Sequence, residues 1–235
     1  MTTLIGVCTT RAGQTSSYWA ICLAWELAQQ RDVLLVDSDM EGGTVADTLY
    51  LRLENRSLAN CFGERPTSPA ELERQALSVP ERARLRVVPG LRRSYGFEVV
   101  ECLRKLAPAL RDQESDLVIV DLGHPLSHPG LRSPRAAAEA ITSCFHRLFI
   151  VVRDEPALLA RTIDVLQAAR LSHGEMVVCQ QRSAAHRRLV RDTFGRLFPE
   201  LLLRECWTWD ERGAARMAET GKPMRMPGIA AELAV

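Results

Sequence analysis

Three short segments hold residues that can do phosphate chemistry. The first, Cys8-Thr-Thr-Arg-Ala-Gly-Gln-Thr-Ser-Ser-Tyr18, is a run of small and hydroxylated residues that leads straight into Trp19-Ala-Ile-Cys-Leu-Ala-Trp-Glu-Leu-Ala28. At a junction of loop and helix N-terminus, unpaired backbone N–H groups and the helix dipole point at one spot and favour an anion. The second segment, Val33-Leu-Leu-Val-Asp-Ser-Asp-Met-Glu-Gly-Gly43, and the third, Asp116-Leu-Val-Ile-Val-Asp-Leu-Gly-His-Pro125, each place carboxylates directly after an apolar run. Their oxygens suit a hard cation such as magnesium. Aspartates at such places also serve as helix caps and turn residues, so both roles stand open for Asp37, Asp39 and Asp121.

These segments need a scaffold that brings strand ends together. Apolar or β-branched runs of strand length recur at Leu4–Cys8, Val33–Val36, Leu85–Val88, Leu117–Val120, Leu148–Val152, Met176–Cys179 and Leu201–Cys206. Helical spacing fills Ser17–Gln30, Phe97–Arg111, Pro156–Arg170 and Arg182–Phe198. The alternation predicts an α/β chain, doubly wound, with a mainly parallel sheet and helices on both faces. In such sheets ligands lie beyond the carboxyl ends of the strands, which is where the three segments fall. A single domain is expected over residues 1–235, with mobile stretches at Gly63–Pro69 and Gly123–Arg135.

With the motifs in this order, the chain resembles the MinD/ParA family of deviant Walker A P-loop ATPases, which includes TadZ/CpaE-like pilus-assembly members. Ala20-Ile-Cys-Leu-Ala-Trp-Glu-Leu-Ala28 is similar to the family's Ala-x-Asn-Leu-Ala helix, Val-Asp-Ser-Asp39 to its second acidic motif, and Ile-Val-Asp-Leu-Gly123 to its Walker B strand. Trp209-Asp-Glu-Arg-Gly-Ala-Ala-Arg-Met-Ala-Glu-Thr-Gly-Lys-Pro223 is similar to its closing segment. The resemblance implies a P-loop NTPase-like fold that binds ATP or ADP with magnesium and forms a homodimer. It implies nucleotide contacts from Thr10, Arg11, Ala12, Gly13, Gln14, Thr15, Ser16, Ser17, Asp37, Gln181 and Asp210. Magnesium falls to Ser17, Asp37 and Asp121, and the catalytic positions are Asp39 and Arg11.

The loop departs from the family's Gly-Lys-Gly-Gly-x-Gly-Lys-Thr pattern. Thr10 and Thr15 replace glycines, Ser16 replaces the loop lysine, and Arg11 stands at the signature lysine, leaving Gly13 and the Ser17 hydroxyl. Only Lys105 and Lys222 are lysines in the whole chain, so no other lysine near the loop makes good the loss. A charged hydrogen bond lost to phosphate weakens binding by about 10- to 150-fold, so nucleotide is expected to bind weakly and hydrolysis to fade. The β-branched Thr15 is expected to alter the loop's shape, because such residues tolerate positive φ poorly. Arg11 has the chemistry to stand in for the signature lysine, since guanidinium binds phosphate bidentately.

The formal charge of +1 gives no overall attraction to nucleic acid or anionic lipid. A local patch, His186-Arg-Arg-Leu-Val-Arg191, is the candidate for nonspecific DNA contact through Arg187, Arg188 and Arg191, diluted by nearby acidic residues. The seven scattered cysteines read as reduced core residues. His124 and His128 read as parts of a solvated loop, and Trp19, Trp25, Trp207 and Trp209 as core or interface residues. No secretory n-region or 18-residue apolar span occurs, and the tail Met226–Val235 carries too little charge for a membrane helix. The chain is thus read as a cytoplasmic assembly or spatial-organisation factor that acts through an unidentified protein partner. A working ATPase and a DNA-binding partition protein are the alternatives.

Overall fold

A computed structural model describes residues 2–92, 99–127, 131–171, 173–179, 184–204 and 210–226. Among these, the strands are β1 (Thr3–Cys8), β2 (Val33–Asp37), β3 (Leu77–Val79), β4 (Arg82–Val88), β5 (Leu117–Asp121), β6 (Arg147–Arg153), β7 (Gly174–Cys179) and β8 (Leu201–Arg204). They join in one sheet, ordered β3-β4-β2-β5-β1-β6-β7-β8. Every pairing is parallel except β3 with β4. The helices are α1 (Ser16–Leu27), α2 (Val45–Thr48), α3 (Pro69–Gln75), α4 (Val99–Arg111), α5 (Pro134–Cys144), α6 (Pro156–Ala169), α7 (Ala184–Leu197) and α8 (Glu211–Thr220).

The central strands are apolar along their whole length because both faces are covered. Leu34, Val36, Val118 and Val120 point into one core with Leu106 of α4, Ile141 of α5 and Leu166 of α6. Their neighbours Val33, Leu35, Leu117 and Ile119 point into the other, with Trp19 and Leu23 of α1 and Met217 of α8. Truncating one such fully buried leucine, Leu23 for example, costs about 2–5 kcal/mol. Gly6 in β1 makes room for an aromatic ring, since a Cβ there would lie 2.9 Å from Cδ2 of Phe145.

The strands expected from the sequence are present, β8 being described as far as Arg204. Neither proline-rich stretch is simply a loop. Thr67 is buried, its N–H donating to Lys105 O and its hydroxyl to Cys61 O, and Ser68 then opens α3 with a capping box to Glu71. Ser133 likewise caps α5, with Pro134 in its first turn. Both are turn-like compositions that serve as helix starts.

Cys8, Cys22, Cys61, Cys102, Cys144 and Cys179 are buried free thiols, as core cysteines should be. Burial pushes the Cys8, Cys22 and Cys102 thiols up to about 12, which keeps them protonated and unreactive. Among the described residues, no helix is long and apolar enough to cross a membrane.

Candidate phosphate and cation site

The turns after β1, β2 and β5 are stitched into one surface by backbone hydrogen bonds. Thr9 N–H donates to Gly123 O, Ser38 N–H to Asp121 O and Leu122 N–H to Val7 O, each at 2.8 Å. The parallel pairing of β2, β5 and β1 sets Asp37 level with Asp121 and Val7. Sheet register thus brings together carboxylates that are far apart in the chain.

Asp37 is fully buried and committed to backbone. Its Oδ2 accepts from Val45 N–H at 3.0 Å and its Oδ1 from Asp39 N–H at 3.3 Å. Gly43 and Gly90 close over it so tightly that a Cβ on either would lie within 2.6 Å of the carboxylate. Capping the start of α2 is therefore the role its geometry displays. Burial pushes Asp37 well above the usual carboxylate range, the Asp121 charge adds to this, and the two N–H donors oppose it.

Asp121 is also fully buried. Its Oδ1 accepts from Gly123 N–H at 3.2 Å and the Ser17 hydroxyl donates to the carboxylate. Among the described residues its Oδ2 is buried without a hydrogen-bond partner. Burial raises Asp121 to about 6, against the lowering effect of Ser17 and Gly123, with Asp39 adding like-charge repulsion. Asp39 is half-buried beside Gly123, where the left-handed glycine (φ 61°) leaves no room for a Cβ, and its Oδ1 accepts from Glu41 N–H. Three crowded carboxylates, with Asp121 Oδ2 unpartnered among the described residues, form a site that fits a cation. Among the described residues no three His, Cys, Asp or Glu side chains form a metal cage by themselves.

Two residues of the loop hold left-handed backbone. Gly13 has φ 80° and Thr15, at the N-cap of α1, has φ 67° and ψ 18°. Contrary to the expectation from its β-branch, Thr15 holds the left-handed conformation, with its hydroxyl donating to the carbonyl of Gln14. Such strain, of order 1–3 kcal/mol, persists only where the surroundings enforce it. The neighbouring loop side chains are tied to α6 and β6. Thr10, 1% exposed, lies with its hydroxyl 2.8 Å from that of Thr162 in α6. Gln14, also 1% exposed, donates to Thr10 Oγ1 at 3.1 Å and accepts from Arg153 N–H at 3.2 Å. Ser16 is buried, and Arg11, Ala12 and Gly13 are exposed.

The structure thus gathers Thr10–Ser17, Asp37, Asp39 and Asp121 at one end of the sheet. Gln181 lies outside the described residues. Asp210 caps α8, its Oδ1 accepting from Arg212 N–H. His124 differs from its reading as part of a solvated loop: its side chain is 10% exposed and its Nε2 lies 3.2 Å from Glu41 Oε2, joining the turn after β5 to the turn after β2. His128, Trp207 and Trp209 lie outside the described residues, while Trp19 is buried and Trp25 half-buried. On α7, Arg188 and Arg191 are exposed, whereas His186 turns inward with Nε2 2.8 Å from Asp154 O; the side chain of Arg187 lies outside the description. The braces from Thr162 and Arg153 had no signature in the sequence, because they join positions about 140–150 residues apart.

No family model matches the chain, and no curated protein sequence matches it. Solved structures do. The septum site-determining protein MinD of Pyrococcus horikoshii complexed with Mg-ADP superposes with a TM-score of 0.65 at 14% identity, over 94% of this chain and 86% of that one. A Borrelia burgdorferi B31 protein assigned to plasmid partition and bound to AMPPNP gives 0.68 at 14%, over 99% and 95%. The MinC:MinD cell division complex of Aquifex aeolicus gives 0.67 at 14%, over 94% and 87%. At these identities the likeness establishes the fold, which is that of the MinD/ParA P-loop ATPases.

Proposed function

We propose that this chain is a MinD/ParA-like spatial-organisation or assembly factor that acts mainly as a dimeric scaffold for protein partners in the cytoplasm and carries a degenerate ATP site. The observation that carries this reading is the bracing of the loop. Thr10 sits where the Walker A pattern has glycine and Gln14 at its variable position, and both are committed to holding the loop against α6 and β6. A loop held by its own side chains has less need of a phosphate to order it.

ATP or ADP with magnesium remains the ligand class, bound weakly. The neighbouring structures solved with Mg-ADP and AMPPNP support that class. The exposed Arg11–Gly13 segment and the start of α1 would take phosphate, with Asp37, Gln181 and Asp210 as the more distant contacts of the family pattern. Ser17 and Asp121 fit magnesium through the unpartnered Asp121 Oδ2, and a magnesium that keeps several waters needs few protein ligands. Asp37 joins them only through the shared charge of the cluster, since its oxygens already accept from backbone. Bound magnesium would neutralise phosphate charge. Asp39, beside that cluster, would orient a water, and Arg11 would reach an oxyanion.

A working ATPase is the second reading, supported by the retained Ser17, Asp39 and Asp121 grouping. Light scattering without nucleotide, together with a phosphate-release assay, tests the two. A nucleotide-independent dimer with no magnesium-dependent release supports the scaffold. Release that requires magnesium and disappears in Asp39→Ala supports the enzyme, and a chain that stays monomeric overturns the scaffold. Nonspecific DNA contact through Arg187, Arg188 and Arg191 predicts salt-sensitive retention on DNA that the Arg188→Ala, Arg191→Ala pair abolishes.

A further inference from the structure

The hydrogen bond between Thr10 and Thr162 presses α6 against the outer side of the loop. Arg161 immediately precedes Thr162, and Asp164 and Val165 follow it at i+3 and i+4, so the three share one helical face. That face forms one wall of a cleft of about 510 Å3 whose loop side is Thr10, Arg11 and Ala12. Glu41, His124 and Ser127 complete it from the turns after β2 and β5. Arg11 and Arg161 are both exposed there, and among the described residues neither has a carboxylate within 4.0 Å. Glu41 lies against His124 instead, which leaves Asp164 as the carboxylate of the lining not engaged in an ion pair.

We propose that Arg161 and Arg11 form a phosphate-oxyanion site in this cleft, so that α6 supplies part of the positive charge missing from Ser16. This inference rests on the reading of the loop as a weakened phosphate site. Guanidinium groups are less strongly hydrated than ammonium and present paired N–H donors to phosphate oxygens, so two on facing walls hold an oxyanion without a lysine. The Ser127 side of the cleft offers a further hydroxyl. Asp164 opposes the anion and sets the site's weakness. The oxyanion comes either from free phosphate compounds or from the phosphate chain of a nucleotide.

Calorimetric titration of the full chain with inorganic pyrophosphate, and separately with Mg-ATP, at low fixed salt, tests this. Arg161→Ala is expected to weaken both ligands about 10-fold, the scale of one charged hydrogen bond. Arg161→Lys should recover part of the loss, and Asp164→Asn should tighten both. Equal affinity for the two ligands identifies a free oxyanion as the occupant, and much tighter Mg-ATP identifies the nucleotide. Wild-type protein that takes up neither ligand, or affinities unmoved by Arg161→Ala and Asp164→Asn, overturns the proposal. Each variant's thermal midpoint guards against misfolding, which an exposed position makes easy to avoid. A monomeric chain would end the scaffold reading without touching this one, and an Arg161-insensitive affinity would do the reverse.

Discussion

The hydroxyl of Thr10 lies 2.8 Å from that of Thr162, inside the protein, across the boundary between the β1–α1 loop and α6. A glycine at position 10 could not make this bond. Thr10 therefore supplies a tether that the glycine of the Walker A pattern would lack, and Gln14 extends it to the end of β6 through Arg153 N–H.

Thr162→Val keeps the shape of the side chain and removes its hydroxyl. Stability should fall by about 1–2 kcal/mol, the value of a buried hydrogen bond, as read from the denaturant midpoint. Amide hydrogen exchange should quicken across Thr10–Ser17 and little elsewhere. Unchanged exchange in the loop would mean that the tether does not hold it.

Bringing the loop closer to the Walker A pattern with Thr10→Gly, Thr15→Gly and Ser16→Lys together should raise Mg-ATP affinity by about 10- to 150-fold through the added lysine contact. The same variant should be less stable without ligand, because the tether is gone and two glycines loosen the unfolded chain. Equilibrium dialysis and thermal unfolding read the two effects. An affinity no better than wild type would place the defect elsewhere in the site.

Gly43→Ala would place a Cβ 2.3 Å from Asp37 Oδ2, a contact that requires the carboxylate or the chain to move. Because Asp37 has both oxygens on backbone N–H groups, displacement leaves donors unsatisfied, at about 1–3 kcal/mol each. Urea denaturation checks this. Asp37→Asn should cost less, since its one oxygen can keep the bond from Val45 N–H, only the longer bond from Asp39 N–H is lost, and the charge that burial disfavours is removed.

At the other end of the sheet, Glu175 in β7 takes Arg147 Nε and Nη2 at 2.6 and 2.8 Å and Arg204 Nε at 2.5 Å. Burial pushes Glu175 up, but the hydrogen bonds and charges of the two arginines outweigh it and hold the group below 4.5. A carboxylate lowered on folding stabilises the protein above its unfolded value and loses that contribution as pH falls through the folded one. Glu175→Gln should thus cost about 1–3 kcal/mol near pH 7, between exposed and fully buried pairs, and progressively less well below pH 4.5. A cost independent of pH, followed by circular dichroism, would contradict the ion-pair account.

Much of the fold was legible because the parallel strands are buried on both faces and read as unbroken apolar runs. The short β3, Leu77–Val79, has too few residues to show a period, and α5 begins in a stretch whose serines and prolines read as loop. In fact Ser68-Pro69-Ala-Glu71 and Ser133-Pro134 are helix starts, and the capping-box spacing at Ser68 was the signal to read. The acidic positions were legible for a related reason: a carboxylate that directly follows an unbroken apolar run stands out in the sequence. What sequence could not give was the division of labour among them. Asp37 has both oxygens on backbone N–H groups beneath Gly43 and Gly90, while Asp121 keeps an oxygen unpartnered among the described residues. The tether is not legible in the sequence because a threonine in the middle of α6 carries no local sign of its partner.

Thermal unfolding with and without 1 mM Mg-ATP, on the order of cellular nucleotide, tests the central claim most directly, since ligand that binds only the folded chain stabilises by RT ln(1 + [L]/Kd). A loop ordered by Thr10, Gln14 and Thr162 rather than by nucleotide predicts a shift worth less than about 1 kcal/mol, together with a dimer that forms in the absence of ATP. Stabilisation of about 2.7 kcal/mol or more, the mark of a Kd near 10 μM or tighter, with dimerisation that depends on the nucleotide, would contradict it.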